Sequence, residues 1–291
     1  MSYLYLVCSL FFMSTSSVFG AFYNRKNERR SDPTPLYNFI YCLAAFLGWC
    51  ILFAFNPSFD AKVLPYALGF GISYITTQVG LINALRTGPV SLTSLMLQLS
   101  LIGTTIWGFF FWDTQFSLTV GIGLVLVVIS LILFLYTGKY QKSTNSKITP
   151  KWLIFALMAF VGNAGCSIIQ RTQQMKFNGQ HGNLLMVGAL LISVLFTLVI
   201  YLRSNKSDTK VMLKTSTVYP IAAGICNVLL NLFVILLATS PIPPSVVYPV
   251  IAVGGLSITS ICSLVVFHEK LRYWQWLGIA IGAASVVLLS I

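Results

Sequence analysis

The sequence predicts an all-α polytopic membrane protein: ten transmembrane helices arranged as two inverted five-helix repeats. Three observations predict it. Of 291 residues, 57% are hydrophobic and only 8% charged, whereas a soluble domain carries roughly 25% charged residues. The apolar runs reach the ~17–25 residues that span a bilayer, and they are continuous rather than alternating, which excludes a transmembrane β-barrel. The basic residues fall in short groups between the runs and change sides between the two halves of the chain.

Taken in order, the first run, 2–22, lacks a charged leader region and is followed directly by more apolar sequence. It therefore reads as an uncleaved first span rather than a signal peptide. Spans over 36–55, 64–85, 90–111 and 118–137 complete a first repeat, 1–148. Spans over 151–171, 184–203, 216–238, 243–267 and 273–290 make a second, 149–291. The connections, among them TQQMKFNGQHG (172–182) and SNKSDTKVMLK (204–214), are too short for a soluble domain. Before the ninth span, Ser240–Ile242 reads as a turn. Pro243 and Pro244 suit a first helical turn, where a missing amide costs little. Pro249 falls inside the span and frees the carbonyl near Ser245. In a bilayer, broken backbone is tolerated only against protein or a water-filled cavity.

The net charge of +12 sits in loops, which points to a bilayer partner and not to nucleic acid. Loops after odd-numbered spans hold fifteen Lys and Arg; the others hold three, Lys62, Arg171 and Lys176. This bias places the odd loops in the cytoplasm of a cell that carries the protein in its plasma membrane, with both termini outside. The loop after span 1 is strongly basic and its counterpart after span 6 weakly so; after spans 2 and 7 the inequality reverses. Five spans per half force the second half to insert upside down, so its charges must change loops, which is the mark of an inverted repeat. GISYITTQ (71–78) aligns with GICNVLLN (224–231), pairing Gly71 with Gly224, Ile72 with Ile225 and Gln78 with Asn231.

All six acids, Glu28, Asp32, Asp60, Asp113, Asp208 and Glu269, lie in loops or at span ends. The lack of a carboxylate at mid-membrane rules out carboxylate-based proton exchange and argues against an intramembrane enzyme that binds Mg²⁺ and phosphate through paired Asp-rich motifs. The six cysteines form no C-x-x-C pair and fall in apolar runs, so no metal, no cofactor and no disulfide framework is expected. Nothing in the sequence marks an enzyme: His181 lies in a loop and His268 at a span end.

What the spans do contain is uncharged hydrogen-bonding groups at helical spacing. Tyr74, Thr77 and Gln78 share a face of span 3, and Ser91, Ser94 and Gln98 one of span 4. Asn163, Ser167 and Gln170 line span 6, Asn227 and Asn231 span 8, and Ser14 and Ser17 span 1. Small hydroxyls often bond their own backbone or pack between helices. A primary amide has four hydrogen-bonding sites and is costly to leave unpaired in hydrocarbon, so either a polar cavity or interhelical bonding must account for the amides. Tyr248 lies too deep in its span for an interfacial belt. The candidate substrate contacts are Ser14, Ser17, Tyr74, Gln78, Ser94, Gln98, Asn163, Ser167, Asn227, Asn231 and Tyr248.

VVFHEKLRYWQWLGIAIGAASVVLL (265–289) carries Glu269, Lys270, Gln275 and Gly278 in the order of an apolar span, an acid–base pair and a Q-x-x-G opening a last helix. FFFWDTQFSLTVGIGLVLVVISLIL (109–133) is a looser copy with Asp113 and Gly121, and ATSPIPPSVVYPVIAVGG (238–255) has a small-polar turn before an apolar run and a proline. These segments resemble the drug/metabolite transporter superfamily, in particular its EamA-like branch. The resemblance implies an alternating-access carrier with a central cavity lined by spans 1, 3, 4, 6, 8 and 9. It also implies cytoplasmic termini, the reverse of what the charge count gives. The expected function is a secondary transporter, facilitator or exchanger, for a small uncharged or zwitterionic metabolite, working as a monomer or homodimer. The alternative is an exporter of lipophilic cations.

Overall fold

A computed structural model describes residues 2–27, 29–30, 33–87, 90–112, 115–135, 149–267 and 273–290. Among these there are eleven α-helices and no strand: α1 (Ser2–Lys26), α2 (Thr34–Phe55), α3 (Leu64–Thr87), α4 (Val90–Phe111), α5 (Leu118–Leu135), α6 (Pro150–Lys176), α7 (Gly182–Arg203), α8 (Thr209–Ser216), α9 (Val218–Ala238), α10 (Pro244–Phe267) and α11 (Tyr273–Ser290). A single 3-10 turn, Ala61–Val63, precedes α3, and Asp60 caps it by accepting from the Lys62 amide at 2.8 Å. Among the described residues five helices, α1, α2, α6, α7 and α9, are long and apolar enough to cross a membrane. The chain is a multi-pass membrane protein.

Each expected span coincides with a helix to within a few residues, but two expected loops are partly helical. The helix α6 continues to Lys176, so Gln173 and Gln174 belong to it rather than to the connection. Glutamine is a good helix former, and here Gln173 Nε2 donates to Gln180 O at 3.0 Å. The chain then reverses through three left-handed residues, Asn178, Gly179 and His181. The other addition is α8, most of which falls in the expected loop 204–214. Its Thr209, Met212 and Ser216 are buried at a 3–4 spacing that makes one inward face, while Lys210 and Lys214 are exposed.

The chain divides into two compact units. The first comprises residues 1–72 and 170–239. In it α1 runs along α9, and α2 lies between α7 and α9. The α2–α7 pair is antiparallel: Asn183 Nδ2 at the start of α7 donates to Leu52 O near the end of α2 at 3.1 Å. At the other end Phe39 and Tyr201 stack, with ring centroids 5.6 Å apart. The helices meet on small residues, the usual solution where apolar surface is not driven together by water. A Cβ on Gly224 would sit 2.7 Å from Tyr41 O of α2, and one on Gly71 3.2 Å from Ala189 O of α7.

The second unit comprises residues 73–169 and 240–291. Here α11 runs along α5, α10 packs on α4 and α11, and α3 crosses α6 backbone to backbone. A Cβ on Gly80 would lie 2.5 Å from Ala159 N, and one on Gly162 2.6 Å from both Ser73 O and Thr77 N. The α5–α11 pair is antiparallel, since Gly123 faces Leu289 and Ser130 Oγ donates to Gly278 O at 2.6 Å. Exposed Phe110, Phe111 and Phe116 therefore lie at one end of this pair and exposed Tyr273, Trp274 and Trp276 at the other. Eighteen residues of α5 separate the two aromatic groups by about 27 Å, close to the ~30 Å of a hydrocarbon core, as two interfacial belts would be.

The proline-rich stretch behaves as its sequence suggests. Residues 240–242 are bends, α10 begins at Pro244, and Pro249 lies inside the helix. The Val246 and Val247 amides both close onto Pro243 O, at 3.0 and 3.2 Å. From Val246 to Val253 the described side chains are buried all round, the pattern of a helix enclosed by protein.

Candidate functional site

In the second unit the structure joins three of the expected residues through one chain of hydrogen bonds. Asn163 of α6 donates from Nδ2 to Ser100 Oγ of α4 at 2.7 Å and to Leu97 O at 3.4 Å. Ser167, one turn on, donates from Oγ to Asn163 O at 3.3 Å, and its own carbonyl accepts from Tyr248 Oη of α10 at 3.4 Å. The Tyr248 ring also lies 6.3 Å from that of Trp112 and is 3% exposed. The amide of Asn163 is thus an interhelical tie, and Tyr248 is a packed wall behind it.

Two amides of the same unit stand apart. Gln78 on α3 and Gln98 on α4 are half-buried and make no side-chain hydrogen bond among the described residues. Each therefore keeps its donor and acceptor sites available. Tyr74, one turn before Gln78, is half-buried and already engaged. Ser94 belongs to α4, but its side chain lies outside the described residues.

In the first unit Asn231 Nδ2 donates to Asn227 at 2.9 Å (backbone O) and 3.2 Å (Oδ1), so the two amides of α9 form a pair one turn apart. Ser17 is exposed and donates to Met13 O at 3.0 Å, which is backbone bonding within its own helix. Ser14 is 2% exposed and its Oγ has no hydrogen-bond partner among the described residues. The α1–α9 contact is made instead by Ser16, whose Oγ donates to Ala223 O at 3.1 Å.

The sequence reading named Gln170 but missed the polar group in this unit to which it belongs. Gln170, Arg171, Gln173 and Gln174 at the end of α6 are all at least nine-tenths buried, and Gln174 Nε2 donates to Gln173 Oε1. Arg171 is thus an interior residue rather than a loop cation. The signal was present: Asn163, Ser167, Gln170 and Gln174 continue one helical face at i, i+4, i+7 and i+11, but the expected span stopped at 171.

No curated protein sequence matches the chain. A solved crystal structure resembles it with a TM-score of 0.74 at 10% identity, over 99% of this chain and 95% of that one; the likeness is one of fold alone. Residues 1–136 match the EamA-like transporter family, a branch of the drug/metabolite transporter superfamily.

Proposed function

We propose that the protein is a secondary carrier for a small uncharged or zwitterionic organic metabolite, working by facilitated diffusion or exchange. The observation that carries the reading is the pair of half-buried, unengaged amides, Gln78 and Gln98. Primary amides held in a membrane protein without partners are expensive, and a substrate with its own donors and acceptors relieves that cost. Tyr74 and Ser94 are proposed as further contacts in the second unit and, separately, Ser14, Ser17, Asn227 and Asn231 as contacts in the first. Asn163, Ser167 and Tyr248 frame the site by holding α4, α6 and α10 in place.

Ten crossings in two inverted repeats belong to the same proposal, and the helix pairing supports it. Exchanging each of α1–α5 for its counterpart among α6, α7, α9, α10 and α11 turns the α1–α9 pair into α6–α3 and leaves α2–α7, α4–α10 and α5–α11 unchanged. Gly71 and Gly224, matched in sequence, play matching parts: the first brings α3 onto α7, the second brings α9 onto α2. Ile72 and Ile225, which follow them, are both about half exposed.

The described acids, Asp60 and Asp208, lie outside the helices, so no described carboxylate is placed to carry a proton through the bilayer. Flux into proteoliposomes is therefore expected without a pH gradient, and a strict requirement for one overturns the facilitator reading. Thermal stabilisation across a panel of neutral, zwitterionic and lipophilic cationic compounds identifies the substrate class. Stabilisation by the lipophilic cations alone favours an exporter instead. We place the basic end of the first unit in the cytoplasm of a plasma-membrane protein; a tag on the N-terminus that is reachable only from inside reverses this.

A further inference from the structure

Two strongly basic connections of the chain meet at one end of the first unit. From the α1 side, Lys26 Nζ donates to Thr215 O at 2.7 Å and Arg30 to Thr215 Oγ1 at 3.4 Å. Ser216 Oγ closes the junction onto Asn27 Oδ1 at 3.3 Å. Beneath it Met212 of α8 packs with Leu36 and Ile40 of α2, so α8 is held flat against the bundle rather than trailing from it. The contact brings together Arg25, Lys26, Arg29 and Arg30 with Arg203, Lys206, Lys210 and Lys214; all but half-buried Arg30 are exposed. The acids in these segments are three, Glu28, Asp32 and Asp208, and the positive charge dominates.

Two features say what covers this surface. Lys210 and Lys214 share the outward face of α8, one turn apart, while Val211 and Leu213 beside them are 50% and 43% exposed. A short helix with cations and exposed apolar side chains on its outer surface suits an interface between headgroups and acyl chains better than water. The position fits: the patch lies where α7 and α1 end and α2 begins, and exposed Val199 and Leu202 lead up to it along α7. Lys26 Nζ lies 5.3 Å from the Tyr219 ring centre and Lys206 Nζ 5.7 Å from that of Tyr201, which keeps cations beside aromatic rings at the depth that both favour.

We propose that this surface, with α8 at its centre, is a docking site for anionic phospholipid headgroups of the adjoining leaflet. The phosphate is held by Lys210, Lys214 and the Arg25–Arg30 group, and Val211 and Leu213 enter the acyl boundary. The proposal rests on the multi-pass character of the chain and not on what it transports.

The test uses the full-length chain in a neutral detergent, titrated with short-chain phosphatidylglycerol or phosphatidylcholine, with binding read by microscale thermophoresis. Phosphatidylglycerol binds and phosphatidylcholine does not. The Lys210→Gln/Lys214→Gln variant weakens binding about fivefold per lysine, the equivalent of ~1 kcal/mol per charge near a bilayer surface. The Lys62→Gln/Lys176→Gln variant, changed at the opposite end of the α2–α7 pair, leaves it unaltered. Val211→Ser/Leu213→Ser also weakens lipid binding, which separates a lipid site from one for a soluble anion; thermal melts of each variant exclude unfolding. Equal competition by inorganic phosphate, binding of an oligonucleotide in place of lipid, or an unchanged affinity in the lysine variant each overturns the proposal.

Discussion

Asn163 Nδ2 and Ser100 Oγ, on α6 and α4, lie 2.7 Å apart, so a predicted substrate contact is tied directly to a neighbouring helix. Interhelical hydrogen bonds of this kind in membranes contribute ~0.6–2 kcal/mol. Asn163→Ala is expected to destabilise the protein by about 1–2 kcal/mol, and a double-mutant cycle with Ser100→Ala to show coupling of about 0.6 kcal/mol or more. Additive effects of the two substitutions mean that the bond contributes nothing, and that Asn163 is free to serve substrate after all.

The opposite behaviour is expected of Gln78 and Gln98. Removing a side chain that makes no hydrogen bond among the described residues leaves the fold undisturbed, so Gln78→Ala and Gln98→Ala keep the melting temperature within a degree or two of the parent, as most substitutions away from a packed or bonded group do. Each removes about one substrate hydrogen bond, ~0.5–1.5 kcal/mol, hence a roughly three- to tenfold rise in the apparent KM for flux. Normal KM with lowered stability in both variants transfers these residues from binding to packing.

The contrast between those two groups marks where sequence reasoning stops. Periodicity places Asn163, Gln78 and Gln98 on helix faces, because 3.6-residue spacing is written in the sequence. It does not say which face meets Ser100 and which meets a substrate, because that depends on how two helices far apart in the chain are rotated against each other. The same limit hid Arg171. As a cation near a span end it reads as a loop residue, and only the continuation of α6 to Lys176 makes it interior. For α8 the eight residues Thr209–Ser216 carry too little apolar surface to distinguish from a loop; their helix is fixed by Met212 finding Leu36 and Ile40. The proline-rich entry to α10 was legible because proline acts on its own backbone and needs no partner to declare itself.

Gly162 and Gly20 make a paired test of the helix crossings. A Cβ on Gly162 meets Ser73 O and Thr77 N at 2.6 Å, which are backbone atoms that only a separation of α3 from α6 can relieve. Gly162→Ala is expected to cost about 2–3 kcal/mol. On Gly20 the nearest atom is the Tyr37 hydroxyl at 3.1 Å, the far end of a side chain that can move. Gly20→Ala is expected within about 0.5 kcal/mol of the parent. Chemical denaturation in mild detergent reads both, and equal losses show that the α3–α6 approach is not rigid.

Pro249 separates stability from turnover. Its ring removes the amide that would bond Ser245 O, and a proline inside a helix costs ~3 kcal/mol in isolation. Ser245 is 2% exposed, so water does not readily take the place of that amide. Pro249→Ala restores the bond, so thermal stability is expected to hold or rise. If an irregular α10 is needed for the carrier to change conformation, the same variant slows flux at saturating substrate while leaving KM near the parent value, because the substitution touches no proposed contact. A fall in both stability and flux means that the ring itself is needed to fill the space between α4, α10 and α11. Unchanged flux with raised stability means that the interruption is an inherited cost with no part in transport. Measuring melting temperature and initial rate on one preparation distinguishes the three outcomes, since each moves the pair of readings in a different direction.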